Sequence, residues 1–205
     1  WGSLGATYFA NSFRDMIDYK YSATAPNYFN IARTRASGVE LEGKLSLPYG
    51  IRADAALTHL GTRVVDPGTS ATATATFAPG SRLLRRPMHT LNAGLGYRAA
   101  RHGIELRALR VGTREDVYYA PDFSASRVSL APYTRLDLSA DALLVPLRAG
   151  NAVTATLRVE NLGNARYTDA AGFNYDFSRT DDASLSQTGY RGAGRRLLAG
   201  LRVGF

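Results

Sequence analysis

The chain has 205 residues, 45% of them hydrophobic, a formal net charge of +8 and no cysteine. The missing cysteine excludes a disulfide scaffold and thiol chemistry, and no run of about 18 apolar residues exists to form a membrane helix. Of the 25 basic residues only Lys20 and Lys44 are lysines, and the arginines are scattered instead of gathered in one patch, which argues against a nucleic-acid surface. Arginines such as Arg135 and Arg52 stand two residues from Asp137 and Asp54, a spacing that places both charges on one face of a strand and predicts ion pairing there.

Taken in order, the sequence shows repeated units of period-two alternation separated by turn chemistry. The first, over residues 7–19, is aromatic-rich and irregular. After small and polar residues at 23–27, a second unit over 28–47 ends with Val39, Leu41, Leu45 and Leu47 alternating with Glu40, Glu42, Lys44 and Ser46. Pro48-Tyr49-Gly50 reads as a short turn, since Pro fixes φ and Gly accepts positive φ. A third unit sets Ile51, Ala53, Ala55 and Leu57 against Arg52, Asp54 and Thr58. Residues 66–81 are rich in Gly, Pro, Thr and Ala and read as a long loop.

Leu91, Ala93, Leu95 and Tyr97 then oppose Asn92, Gly94, Gly96 and Arg98 in a fourth unit. A short turn at 99–103 leads to a fifth, where Ile104, Leu106 and Ala108 oppose Glu105 and Arg107, with a change of phase at Leu109-Arg110-Val111 that reads as a β-bulge. Residues 118–131 form a second long loop. The sixth unit is the most regular, with Leu136, Leu138, Ala140, Ala142 and Leu144 against Arg135, Asp137, Ser139 and Asp141. Past a short turn at 146–151, Val153, Ala155, Leu157 and Val159 make the seventh, and a long loop runs on to about residue 192. The eighth places Leu197, Ala199, Leu201, Val203 and Phe205 on one face and Arg196, Gly200, Arg202 and Gly204 on the other.

The connections therefore alternate long and short, the asymmetry of outer-membrane barrels, which carry long loops outside and short turns on the periplasmic side. Eight antiparallel strands with a long final connection put Trp1 and Phe205 on the same, periplasmic side. The predicted fold is all-β: an antiparallel transmembrane β-barrel of about eight strands over residues 1–205. A soluble β-sandwich or lipocalin-like barrel would less readily set so many charges opposite its core-facing positions. Trp1-Gly2-Ser3 resembles neither an initiator nor a signal peptide, so an N-terminus further upstream is expected.

Several segments resemble the C-terminal part of a TonB-dependent outer-membrane receptor. They are Thr7-Tyr8-Phe9 followed by Asp15-Met16-Ile17; the run from Asn30 through Arg33, Gly38 and Glu40 to Glu42; Arg85-Arg86-Pro87-Met88-His89; Val159-Glu160-Asn161-Leu162-Gly163-Asn164-Ala165-Arg166-Tyr167; and Gly194-Arg195 before the closing strand. That family's barrel has twenty-two strands around a plug, so these would be the last eight. The N-terminal plug domain, the TonB box and the earlier strands are expected outside this sequence.

The resemblance implies energised uptake of a scarce nutrient, such as a siderophore-bound metal or cobalamin, across the outer membrane of a Gram-negative bacterium. It implies as partners the membrane lipid, the receptor's own plug, the TonB complex, a small-molecule ligand and the barrel-assembly machinery, for which Phe205 resembles the terminal aromatic signal. No cofactor and no nucleic acid are expected. Ligand contacts are expected from outer loops: Tyr118, Tyr119, Phe123 and Arg127 in one, and Phe173, Tyr175, Phe177 and Arg179 in another, aromatic surface combined with cations. The same aromatics also suit an interfacial girdle, as do Tyr49, Tyr97 and Phe205 at the periplasmic ends.

Catalysis finds little support. His59, His89 and His102 lack patterned partners, and His89 reads as a strand-start residue. Asp181-Asp182 offers oxygen ligands of the kind calcium takes, but with one acidic pair and no loop motif it reads as solvated loop charge. Two readings from other classes stay open: a complete small eight-stranded barrel with a structural or adhesion role, and a barrel enzyme. Alone, an open segment would leave two strand edges in lipid.

Overall fold

The computed structural model describes residues 1–19, 28–68, 77–119, 125–146, 152–171 and 189–203. Among the described residues there are twelve strands: β1 Gly2–Tyr19, β2 Tyr28–Ser46, β3 Ile51–Asp66, β4 His89–Arg98, β5 His102–Val111, β6 Arg114–Tyr119, β7 Ala125–Leu130, β8 Tyr133–Pro146, β9 Ala152–Glu160, β10 Thr168–Ala171, β11 Gly189–Arg191 and β12 Arg196–Val203. Eight of them form one antiparallel sheet in the order β1-β2-β3-β4-β5-β8-β9-β12, leaving β1 and β12 as its edges. The remaining four form the hairpins β6-β7 and β10-β11.

The two-faced pattern of the sequence survives in the register. Leu45, Ala53, Leu95, Leu106, Leu138, Val159 and Leu197 lie successively opposite one another across seven strands. On the other face Ser3, Lys44, Asp54, Gly94, Arg107 and Asp137 make a polar row. The apolar row is not a core: Leu95 is 55% exposed and Leu197 69%. A contiguous apolar surface of this extent is untenable in water and is what lipid requires. On β8 it runs from Leu136 to Leu144, roughly 27 Å along the strand, or about 20 Å of membrane once tilt is included.

The turns explain the register. At Pro48–Gly50 Tyr49 and Gly50 both have positive φ, 64° and 78°, and a side chain at Gly50 would begin 2.0 Å from the carbonyl oxygen of Arg98. Glycine is therefore required there both by conformation and by space.

Three expectations are corrected. The first strand starts at Gly2, well before residue 7, because Gly2 to Arg14 pair continuously with β2. Leu109-Arg110-Val111 contains no bulge, since β5 stays in register with both β4 and β8. Its side chains keep alternating; what changes is the chemistry, with Leu109 inward and Arg110 outward, because β5 has risen above the lipid band. Register shifts fall instead at Arg33/Thr34, Leu143/Val145 and Thr168/Ala170. The long connections at 118–131 and before 192 are not simple loops: they carry the β6-β7 and β10-β11 hairpins. The loop expected at 66–81 begins where β3 ends, at Asp66.

The small buried core lies at the long-connection end, where Ile31, Val64, Phe77 and Leu83 pack together with Met16 and Leu84. Residues 80 and 81 exchange backbone hydrogen bonds with Val64, so the chain after residue 77 clamps the free edge of β3.

Candidate functional site

At the long-connection end the barrel strands do not stop but break and resume. β5 gives way to β6 across Gly112-Thr113, and β7 to β8 across Ala131-Pro132, where proline removes a ladder donor. The strand ends from which residues 120–124 and 172–188 spring are thereby held as one platform, with β10 packed on β6 and β7.

Two polar knots hold it. Asp116 is completely buried, and its carboxylate accepts from Arg85 Nε at 2.9 Å and from the backbone N–H groups of Val117 at 2.8 Å and Ala171 at 2.7 Å. One side chain thus joins the segment before β4, hairpin β6-β7 and hairpin β10-β11, and its charge is offset by three donors. Beside it, buried Arg114 donates to the carbonyls of Asp169 at 3.0 Å, Ala131 and Thr168, and lies 5.4 Å from the Tyr133 ring centroid. Tyr133 stacks on Tyr167 at 3.9 Å and donates its hydroxyl to Asp169 Oδ1 at 3.1 Å.

The second knot is centred on Asn161, 1% exposed and at φ 51°. Its side chain accepts from the Ala165 N–H at 2.8 Å and donates to the carbonyls of Ala165 and Ala193, both at 3.0 Å, while its own N–H reaches Asp137 Oδ1 at 2.9 Å. Asn164, also left-handed at φ 50°, accepts from the Arg195 N–H at 3.0 Å. This is the physical content of the Asn161-to-Tyr167 segment noted in the sequence: asparagine tolerates αL backbone and caps its own turn. Gly192 completes it, because a Cβ there would meet the Tyr167 ring at 2.0 Å.

Below the platform the inward face is a lattice of ion pairs. Arg107 reaches Glu105 at 2.6 Å and Asp54 at 3.2 Å, Arg98 binds Asp141 at 2.6 Å, Arg135 binds Asp137 at 3.1 Å, and Glu160 receives both Arg158 at 3.3 Å and Arg196. The pairing expected within Arg135/Asp137 is present, whereas Asp54 pairs across the sheet with Arg107 and not with Arg52.

Among the residues anticipated as ligand contacts, Tyr118 and Tyr119 lie on β6 and Arg127 on β7, in the paired arms of one hairpin. Arg127 donates to the Arg82 carbonyl at 2.7 Å and stands 3.9 Å from Glu115, so it also braces the hairpin. Phe123, Phe173, Tyr175, Phe177, Arg179, Asp181, Asp182 and Phe205 lie outside the described residues. His59 and His89 are not isolated, as their spacing in the chain implied: register places them opposite each other, with Nδ1 atoms 3.2 Å apart. Tyr97 and His102 meet at 5.8 Å at the short-turn end, a position suited to an interfacial girdle. No group of three or more potential metal ligands occurs among the described residues. The Asp116 and Asn161 knots escaped sequence reading, since a buried carboxylate and an exposed one look alike in a string of letters.

The fold and its two-faced wall define a β-barrel of the outer-membrane receptor type. Residues 1–162 match the family model described as TonB dependent receptor-like, beta-barrel, and the chain belongs to that family. Among solved structures it is similar to the ferripyoverdine receptor of the outer membrane of Pseudomonas aeruginosa bound to ferripyoverdine, at 18% identity and TM-score 0.66 over 96% of this chain and 24% of that one. It is similar too to the siderophore receptor PiuA from Acinetobacter baumannii (16%, TM-score 0.67, 98% of this chain and 26% of that one). The FrpB iron transporter from Neisseria meningitidis, F3-3 variant, gives 17%, TM-score 0.65, 98% and 28%. The chain thus spans about a quarter of the length of the structures it matches. No curated protein matches it. The family comprises receptors and not enzymes, and the expected location, the outer membrane of a Gram-negative bacterium, agrees with it.

Proposed function

We propose that this chain is the C-terminal wall, the last eight of twenty-two strands, of a TonB-dependent receptor that takes up a ferric siderophore. The observation that carries the reading is a distal platform locked by buried polar knots above an ion-paired inward face, on a wall whose other face is apolar. The relatives named as siderophore receptors and an iron transporter support iron over cobalamin as cargo. In this reading the inward ion pairs face the receptor's own plug, which the TonB complex acts on, and Phe205 is the strand-end signal for barrel assembly. Tyr118, Tyr119 and Arg127 of the β6-β7 hairpin, together with Phe123, Phe173, Tyr175 and Arg179 of the long connections, supply the aromatic and cationic ligand contacts.

The test uses the complete receptor carrying this chain, in iron-starved cells supplied with ferric hydroxamate, ferric catecholate or cyanocobalamin. Uptake of a ferric chelate that stops when the proton-motive force is dissipated, and that falls in Tyr118→Ala/Tyr119→Ala, is the expected result. Uptake of cyanocobalamin alone replaces iron by a corrinoid, and uptake of none by a correctly assembled barrel removes the transport reading.

A further inference from the structure

We propose that the outward surface just above the apolar band, on β1, β2, β3 and β5 at the long-connection end, binds the phosphate groups of anionic lipids in the adjoining leaflet. Followed upward, the outward row of β2 passes from Leu41 and Val39 through Ser37 to Arg35 and Arg33; that of β3 runs from Leu57 through His59 and Gly61 to Arg63; that of β1 from Tyr8 through Ser12 to Arg14. On β5 the same face changes from Ala108 to Arg110. The belt begins where the lipid-facing residues end, with His59 and His89 at the boundary, and all its arginines are exposed.

The register makes the belt electrostatically unfinished. Arg14 stands directly opposite Arg33, and Arg35 directly opposite Arg63. Like charges facing one another across strands destabilise a sheet, and the inward face of the same wall avoids this by pairing Arg107 with Asp137 and Glu160 with Arg196 in register. Among the described residues none of Arg14, Arg33, Arg35, Arg63 or Arg110 is ion-paired, whereas seven other arginines are. Two acids lie close by, Asp66 opposite Arg33, which accepts from the Gly68 N–H at 2.9 Å, and Asp15 next to Arg14 on β1, and among the described residues neither forms an ion pair with a belt arginine. The connecting residues 20–27 and 69–76 contain no Asp or Glu.

A bridging anion from outside the chain resolves the repulsion, and its chemistry follows from the groups present. The belt is arginine throughout, and a guanidinium fork matches phosphate oxygens bidentately. Arg110 Nη1 donates to Thr134 Oγ1 at 2.9 Å, which aims the head along the sheet. Small side chains at Ser12, Ser37 and Gly61 open a shallow depression that Tyr8, Arg35 and Arg63 border. The occupant is a lipid because the site is continuous with the acyl-facing band, so that a molecule anchored there presents its headgroup at this height.

The complete receptor carrying this chain, purified in zwitterionic detergent, is titrated with bisphosphorylated lipid A and with phosphatidylcholine, and bound lipid and melting temperature are followed. Lipid A is expected to bind and raise the melting temperature. Arg35→Gln/Arg63→Gln should weaken it about 30-fold while melting no lower without lipid, because the facing charges are gone. Arg35→Lys/Arg63→Lys should retain part of the affinity. Should the double glutamine variant fail to assemble, Arg110→Gln, expected to weaken lipid A about fivefold, decides in its place. Unchanged lipid A affinity, an equal effect of phosphatidylcholine, the same stabilisation by inorganic phosphate alone, or a lower melting temperature of the glutamine variant before lipid is added would each overturn the proposal.

Discussion

The wall and the platform above it are built from the same strands but held by opposite means. In the wall, stability is distributed: eight strands share a continuous ladder, apolar groups face outward, and each exposed inward ion pair adds little by itself. In the platform it is concentrated, since Asp116 and Asn161 each satisfy several backbone groups from separate segments. A wall made of repeats tolerates loss of one contact. A junction of irregular chain depends on a few buried side chains, because each unpaired backbone group there costs its full desolvation.

The sharpest way to break the comparison is to attack each region where it is strong. Leu138→Arg puts a charge in the middle of the apolar row and should cost roughly 2 to 4 kcal/mol, read as a lower temperature of heat-modifiable gel migration; unchanged migration would mean that the two faces are assigned the wrong way round. Asp116→Ala should cost about 2 to 3 kcal/mol and, more tellingly, expose the segments flanking 120–124 and 172–188 to limited proteolysis while the wall stays protected. Asn161→Ala removes three side-chain hydrogen bonds and the αL tolerance at φ 51°, for an expected loss of about 2 kcal/mol, with cleavage near residue 193 as its local signature. At the low end, Arg107→Gln in the exposed inward lattice should change stability by less than about 1 kcal/mol. A larger effect there than at Asp116 would reverse the contrast between the regions.

The lower wall was legible because alternation is a local property: Leu136 to Leu144 reads the same in the chain as in the sheet. Arg110 was legible only in part. Its departure from the pattern was visible, but a bulge and a strand leaving the lipid produce the same letters, and only the unbroken pairing of β5 with β4 and β8 separates them. The hairpins inside the long connections were missed because Arg114 and Asp116 look like loop charges until their partners, 54 and 55 residues away in the chain for Arg114 and Ala171 on β10 for Asp116, come into place.

What the sequence by itself determined is the architecture of strands, the long and short ends and the lipid-facing side, since a period of two and turn chemistry need no knowledge of distant residues. What only the tertiary structure decided is which charges meet: Asp54 with Arg107, Asp116 with Arg85, and arginine opposite arginine above the lipid band. Those pairings depend on cross-strand register, which brings together residues tens of positions apart and so leaves no trace in any one strand.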